Sequence, residues 1–141
     1  MKYLINALEI FGIVYFRFRA VPRIWCVWLV GVNAACLFFI TQIEAQVVLA
    51  VTALAVAGQA IIFERTKFTR ILGIVHLGWI PMFGWMATRL DTITNDPALS
   101  IWLGVLLVTN TVSLIVDLAE ALRYMNGDRA PHYSWRLPNI I

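Results

Sequence analysis

The residues whose types and spacing are able to do chemistry gather near the end of the chain, in Thr109 to Tyr124, TNTVSLIVDLAEALRY. At 100° per residue, Asn110, Ser113, Asp117, Glu120 and Tyr124 fall within an arc of about 80°, with Thr109 at its edge. Leu, Val, Ile and Ala fill the rest of the helix. One polar stripe on an otherwise apolar helix suits a membrane, where carboxylates are costly and face a bundle interior, a partner or water. Asp117 is the main charged candidate of this path, and Asn110 and Ser113 continue it.

Three further polar residues stand inside apolar stretches: Asn33, Gln59 and His76. With Asp117, Asn110 and Ser113 they form a candidate transport path. The competing reading is interhelical packing, in which such hydrogen bonds contribute about 0.6 kcal/mol each on average. Asp117 expects a cationic partner from Arg65, Lys67, Arg70 or Arg123. Glu120, Arg123 and Arg70 are candidate headgroup or ion-pair contacts. His76, with Trp79 and Phe83 on its side of the helix, reads as a proton-sensitive partner or a satisfied core residue. Haem between paired histidines needs a second His at matching depth, and the other one, His132, is in the tail.

Several chemistries are absent by motif. The chain has no GxSxG elbow, HExxH pair, P-loop or glycine-rich dinucleotide turn, so no catalytic residues are assigned. Cys26, Cys36 and His76 lack zinc-ligand spacing, so neither metal nor cofactor is expected. In one helix the two cysteines would stand about 15 Å apart, beyond disulfide reach. The chain also lacks the cysteine pairs of membrane thiol oxidoreductases and a glutamate in its first span.

Composition names the elements that must hold these residues. Of 141 residues 61% are hydrophobic and 13% charged, against about 45–50% and 25% in soluble domains. A soluble fold is excluded. The net charge of +3 comes from dispersed basic residues rather than one patch, which argues against nucleic acid.

The pattern predicts an all-α, four-span antiparallel transmembrane bundle, a single integral-membrane domain over 1–141. Residues 1–19 predict an amphipathic interfacial helix, because the run from Tyr3 to Phe16 is too short to span and Lys2, Asn6 and Glu9 recur at helical spacing. Arg17, Arg19 and Arg23 follow it in place of a signal-peptide cleavage site. Pro22 separates it from the first span, 24–43. Glu44 to Gln46 read as a tight turn, followed by the second span, 47–63, with Ala55, Gly58 and Ala60 as close-packing positions. The third span, 71–90, carries His76 and a kinking Pro81. Residues 91–97 form a turn, and Pro97 opens the fourth span, 98–122. Asn126-Gly127-Asp128 ends it, and 123–141 is a cytoplasmic tail containing Pro131 and Pro138.

In this arrangement ten basic residues, including Lys2, Arg17, Arg65, Lys67, Arg70, Arg123 and Arg136, share one side, and Arg89 stands on the other. The positive-inside rule then makes both termini cytoplasmic, in a bacterial inner membrane. Four short spans enclose little volume, so homo-oligomerisation is expected. The function expected is a small homo-oligomeric channel or carrier with a polar path along the fourth helix. The alternatives are a non-catalytic subunit or assembly factor of a larger membrane complex and, third, an inner-leaflet lipid-modifying enzyme.

Overall fold

The computed structural model describes residues 1–129. Expectations resting on 130–141, including His132, Arg136 and the two tail prolines, lie outside the described residues. The described chain is all-helical. It consists of α1 (Lys2–Arg17), α2 (Ala20–Ala34), α3 (Ile43–Thr66), α4 (Trp79–Ala87), α5 (Leu90–Thr94) and α6 (Pro97–Met125). A 3-10 turn, Ala35–Phe39, prolongs α2, and a 3-10 segment, Arg70–Gly78, leads into α4. Three helices are long and apolar enough to cross a membrane: Ala20–Phe39, Ile43–Thr66 and Pro97–Met125. This is a membrane protein by its own helices.

Local chemistry accounts for most boundaries. The break between α1 and α2 falls at Phe18 and Arg19, so Pro22 stands in the first turn of α2, where a missing N–H costs nothing. Asp96 caps α6, its carboxylate accepting from the backbone N–H groups of Ala98 (3.0 Å) and Leu99 (3.1 Å), with Pro97 following. Gly127, at φ +95°, takes the left-handed conformation just beyond the end of α6.

Two expectations are corrected. Glu44 to Gln46 are not a turn: α3 begins at Ile43 and the chain reverses at Ile40 to Gln42, where the Gln42 N–H donates to Phe39 O at 2.8 Å. A carboxylate in the first turn favours the helix dipole, and polarity alone does not mark a turn. The third apolar run is not one α-helix over 71–90. It is 3-10 from Arg70 to Gly78, α from Trp79 to Ala87, and a separate short helix from Leu90 to Thr94. Pro81 has no N–H for the Leu77 carbonyl, and two glycines weaken the α-helical preference of the same stretch.

The interior has two apolar clusters. Ile10, Ile13, Phe18, Phe63 and Leu72 join α1, α3 and the 3-10 segment. The other includes Val32, Val48, Trp79, Met82, Leu99 and Leu106 and joins α2 through α6. α6 packs most extensively on the 3-10 segment. α1 docks on the end of α3: Asn6 is buried, its amide donating to Ala60 O (3.1 Å) and to Glu64 Oε2 (2.7 Å), while Leu4, Ile5 and Leu8 are exposed. The polar stripe of α1 thus faces protein at Asn6.

Candidate functional site

A cleft of about 300 Å³ opens between α1, α2, α3, the 3-10 segment and α6. Its walls are mostly apolar and aromatic, and Asn33, Gln59, His76, Ser113 and Asp117 reach it from four different elements. Of the six residues expected to form the path, only Asn110 is absent from the lining.

At the centre, His76 Nδ1 lies 2.7 Å from Asp117 Oδ2, with the two side chains 13% and 22% exposed. The other ring nitrogen, Nε2, lies 3.4 Å from Gln59 Nε2. With the Gln59 amide N–H₂ donating to Nε2, the imidazole is the neutral tautomer whose Nδ1–H is donated to Asp117. A second proton, on Nε2, would face the donor face of Gln59. The amide would then have to turn and present its oxygen. Trp79 stacks flat on the imidazole, centroids 4.2 Å apart and planes 5° apart, and fixes the ring's plane. That orientation leaves the buried Trp79 Nε1 without a partner among the described residues.

Asp117 reaches His76 because Gly73 lies opposite it. A Cβ at Gly73 would stand 2.8 Å from Asp117 Cβ and closer still to its carboxylate. Gly58 plays the same part between α3 and the 3-10 segment, where a Cβ would meet Val75 Cγ1 at 2.9 Å. The expected cationic partner of Asp117 is not the one found. Arg70 instead pairs with Glu120 and, at 3.1 Å, with Asp128, and Arg123 reaches Glu120 at 3.2 Å. Arg70, Glu120 and Arg123 therefore satisfy one another, one to two turns from Asp117 toward the Met125 end of α6.

Toward the Pro97 end the polar residues close on themselves. The Asn33 amide donates to Asn110 Oδ1 (2.9 Å), and the Asn110 amide donates back to Asn33 Oδ1 (3.1 Å). Asn33 also donates to Leu29 O at 2.9 Å, and Thr52 donates to Asn33 Oδ1 at 3.4 Å. Asn110 is fully buried. Beside this pair the Trp28 indole donates to Thr109 Oγ1 at 3.1 Å and the Trp102 indole to Val32 O at 3.0 Å.

Two features escaped the sequence reading. Glu44, 1% exposed, pairs with Arg89 at 2.7 Å, and Arg89 lies over the Trp85 ring. The signal was present: Arg89 was the one basic residue on its side, and Glu44 stood in the other turn at that end. Gly73 carried no signal, because a glycine in an apolar run does not name the side chain it admits. At the opposite end the Lys2 ammonium, hydrogen-bonded to Glu64 at 2.8 Å, is held above its usual pKa by that bond and by the carboxylate's charge.

No protein family, curated protein or solved structure matches the chain. Among the described residues no group of three or more His, Cys, Asp or Glu is placed to hold a metal ion.

Proposed function

We propose that this chain is a small integral-membrane carrier that takes up a small solute in the cleft beside His76 and Asp117. The observation that carries the reading is the meeting, in one cleft of about 300 Å³, of a titratable His–Asp pair with apolar walls. Pockets of this size and lining suit small molecules, and an ionisable pair within a helical membrane protein marks a route for ions or solutes.

In this reading the chain crosses the membrane four times. The 3-10 segment and α4 have nine residues each; at a rise of about 2.0 Å and 1.5 Å per residue they reach about 31 Å, the thickness of a bilayer core. α6, at 29 residues, is about 44 Å long and carries its last turns, with Arg123, beyond the hydrocarbon. Under the positive-inside rule both termini then face the cytoplasm of a bacterial inner membrane, and α1 lies in the inner interface with Leu4, Ile5 and Leu8 toward lipid. The cleft is loaded from that side.

A carrier is preferred to an open channel because the reciprocal Asn33–Asn110 pair closes the interior beyond the cleft. It is preferred to a partner-binding subunit because the polar arc of α6 is turned into the chain's own helices, with Thr109, Asn110 and Ser113 all buried. A lipid-modifying enzyme gains little support, since Glu120, Arg70 and Arg123 bind one another. The cleft is built within one chain, so the reading holds with or without the homo-oligomer, which a mass measurement in detergent decides.

The test is transport in proteoliposomes holding a pH gradient, challenged with small aromatic cations, anions and neutral solutes. At least one solute collapses the gradient through the protein, and Asp117→Asn abolishes the effect. A gradient indifferent to every solute, or equal activity in Asp117→Asn, overturns the carrier.

A further inference from the structure

We infer that the solute is a small amphiphilic cation, an organic ammonium with an apolar body, and that it displaces one proton from the His76–Asp117 pair. The inference rests on the cleft being the binding site and adds the chemical class of its occupant.

The charges that line the cleft decide the sign. α1 supplies only apolar residues, Ile10, Phe11 and Val14; α2 supplies Cys26 and Asn33; α3 supplies Thr52 and Gln59. The 3-10 segment contributes Arg70 and His76, and α6 contributes Ser113, Asp117 and Glu120. The Arg70 guanidinium is shared by Glu120 and Asp128, two carboxylates for one cation. The polar partner of Asp117 is the His76 imidazole, neutral when the Gln59 amide donates to its Nε2. With His76 neutral, the described residues of the lining carry two carboxylates against one guanidinium, a net charge of −1 in a largely apolar cavity. An anion entering there adds like charge; a cation neutralises it.

The walls fit the same occupant. Phe11, Phe18, Trp25, Phe68 and Trp79 all line the cleft, and aromatic faces attract a desolvated cation by about 0.5–2 kcal/mol each while burying its apolar body. A carboxylate with aromatic neighbours binds an ammonium that has no N–H to donate, which a site built on hydrogen bonds alone does not.

The proton follows from the Gln59 contact. When His76 takes up a proton from water on Nε2, the imidazolium and Asp117 carboxylate form a neutral pair, and the net charge that attracts the cation is gone. A cation arriving at that state forms its ion pair with Asp117 as the Nε2 proton returns to water. One positive charge enters and one leaves, so the occupied site and the protonated empty site carry the same net charge. Cation and proton therefore compete for one His–Asp pair, the proton on the imidazole and the cation at the carboxylate, and their coupling is reciprocal.

The experiment uses the detergent-purified full chain and three probes of one shape: benzyltrimethylammonium, its uncharged carbon isostere neopentylbenzene, and phenylacetate as the anion. Binding is read by calorimetry and by quenching of tryptophan fluorescence at pH 8 and pH 5.5. The quaternary cation binds at pH 8 at least tenfold more tightly than the neutral isostere, and the anion more weakly than either. Its affinity falls at least tenfold at pH 5.5, where calorimetry in buffers of different ionisation enthalpy reports release of close to one proton.

Asp117→Asn loses cation binding at least tenfold and keeps that of the isostere, which also shows that the cleft is still formed. His76→Gln retains a hydrogen bond to Asp117 and a folded cleft; it binds the cation with neither pH dependence nor proton release. Equal affinity for cation and isostere, preference for the anion, or pH-independent binding by the native chain overturns the inference. Cation binding without transport in vesicles removes the carrier and leaves the cation site; transport of an anion or neutral solute leaves the carrier and removes the cation.

Discussion

At Gly73 the side chain that matters is the one that is missing. Asp117 occupies the space a Cβ would need, so Gly73→Ala forces the carboxylate away from His76 or the 3-10 segment away from α6. Overpacking of this kind costs about 1–3 kcal/mol. The variant should unfold several degrees below the native chain in a detergent melt and bind the quaternary cation at least tenfold more weakly. The Asn33–Asn110 pair makes a separate prediction. Each residue donates to the other, so Asn33→Ala and Asn110→Ala should be non-additive. A double-mutant cycle in denaturant should return a coupling of about 1 kcal/mol, toward the upper end for interhelical hydrogen bonds in membranes. Additive losses would mean that the two amides contribute separately.

The 3-10 segment is the element on which the site depends. It presents Arg70, Gly73 and His76 to α6 and approaches α3 across Gly58, and its nine residues exceed the usual three or four of a 3-10 run. Tertiary contacts on both sides hold it, since neither its glycines nor Pro81 favour any one helix. Gly58→Leu should therefore push the segment off α3 and disturb the Gln59–His76 contact, lowering both melting temperature and cation affinity. Gly104→Leu is the matched control: a Cβ at Gly104 meets nothing within 4 Å, and the variant should be indistinguishable from the native chain in both measurements. Comparable damage from the two leucines would mean that bulk, and not position, is at fault.

For the whole molecule the prediction concerns sidedness. In a chain with Cys26 and Cys36 replaced by alanine, Thr66→Cys and Gly127→Cys should react with an impermeant maleimide from one side of the membrane and Asp91→Cys from the other. Reaction of Thr66→Cys and Asp91→Cys from one side and of Gly127→Cys from the other would leave three crossings, removing the one through the 3-10 segment and α4 and with it the carrier. Glu44, in the first turn of α3, and Arg89, after α4, secure one end of the bundle, and Arg70, Glu120, Arg123 and Asp128 secure the other.

Composition and periodicity alone determined a helical membrane protein, the polar stripe of α6, its start at Pro97 and its stop at Asn126 and Gly127. These are local properties: apolar fraction, a 3.6-residue repeat, a missing N–H and a left-handed glycine each act within a few residues. What the sequence left open was who meets whom. Asp117 was matched to a cation on the neighbouring loop or on its own helix, Arg65, Lys67, Arg70 or Arg123, whereas the fold gives it His76, 41 residues away, and gives Arg70 to Glu120. Periodicity assigns a residue to a face of its helix but not the neighbour that face will meet. That choice is made by how closely two backbones approach, which here depends on Gly58 and Gly73, residues with no side chain to announce it. The polar stripe that opened the sequence reading is thereby divided. Asn110 is closed into a packing pair, and Asp117, two turns further along the same face, is the carboxylate that the tertiary structure sets against His76 beside a cleft.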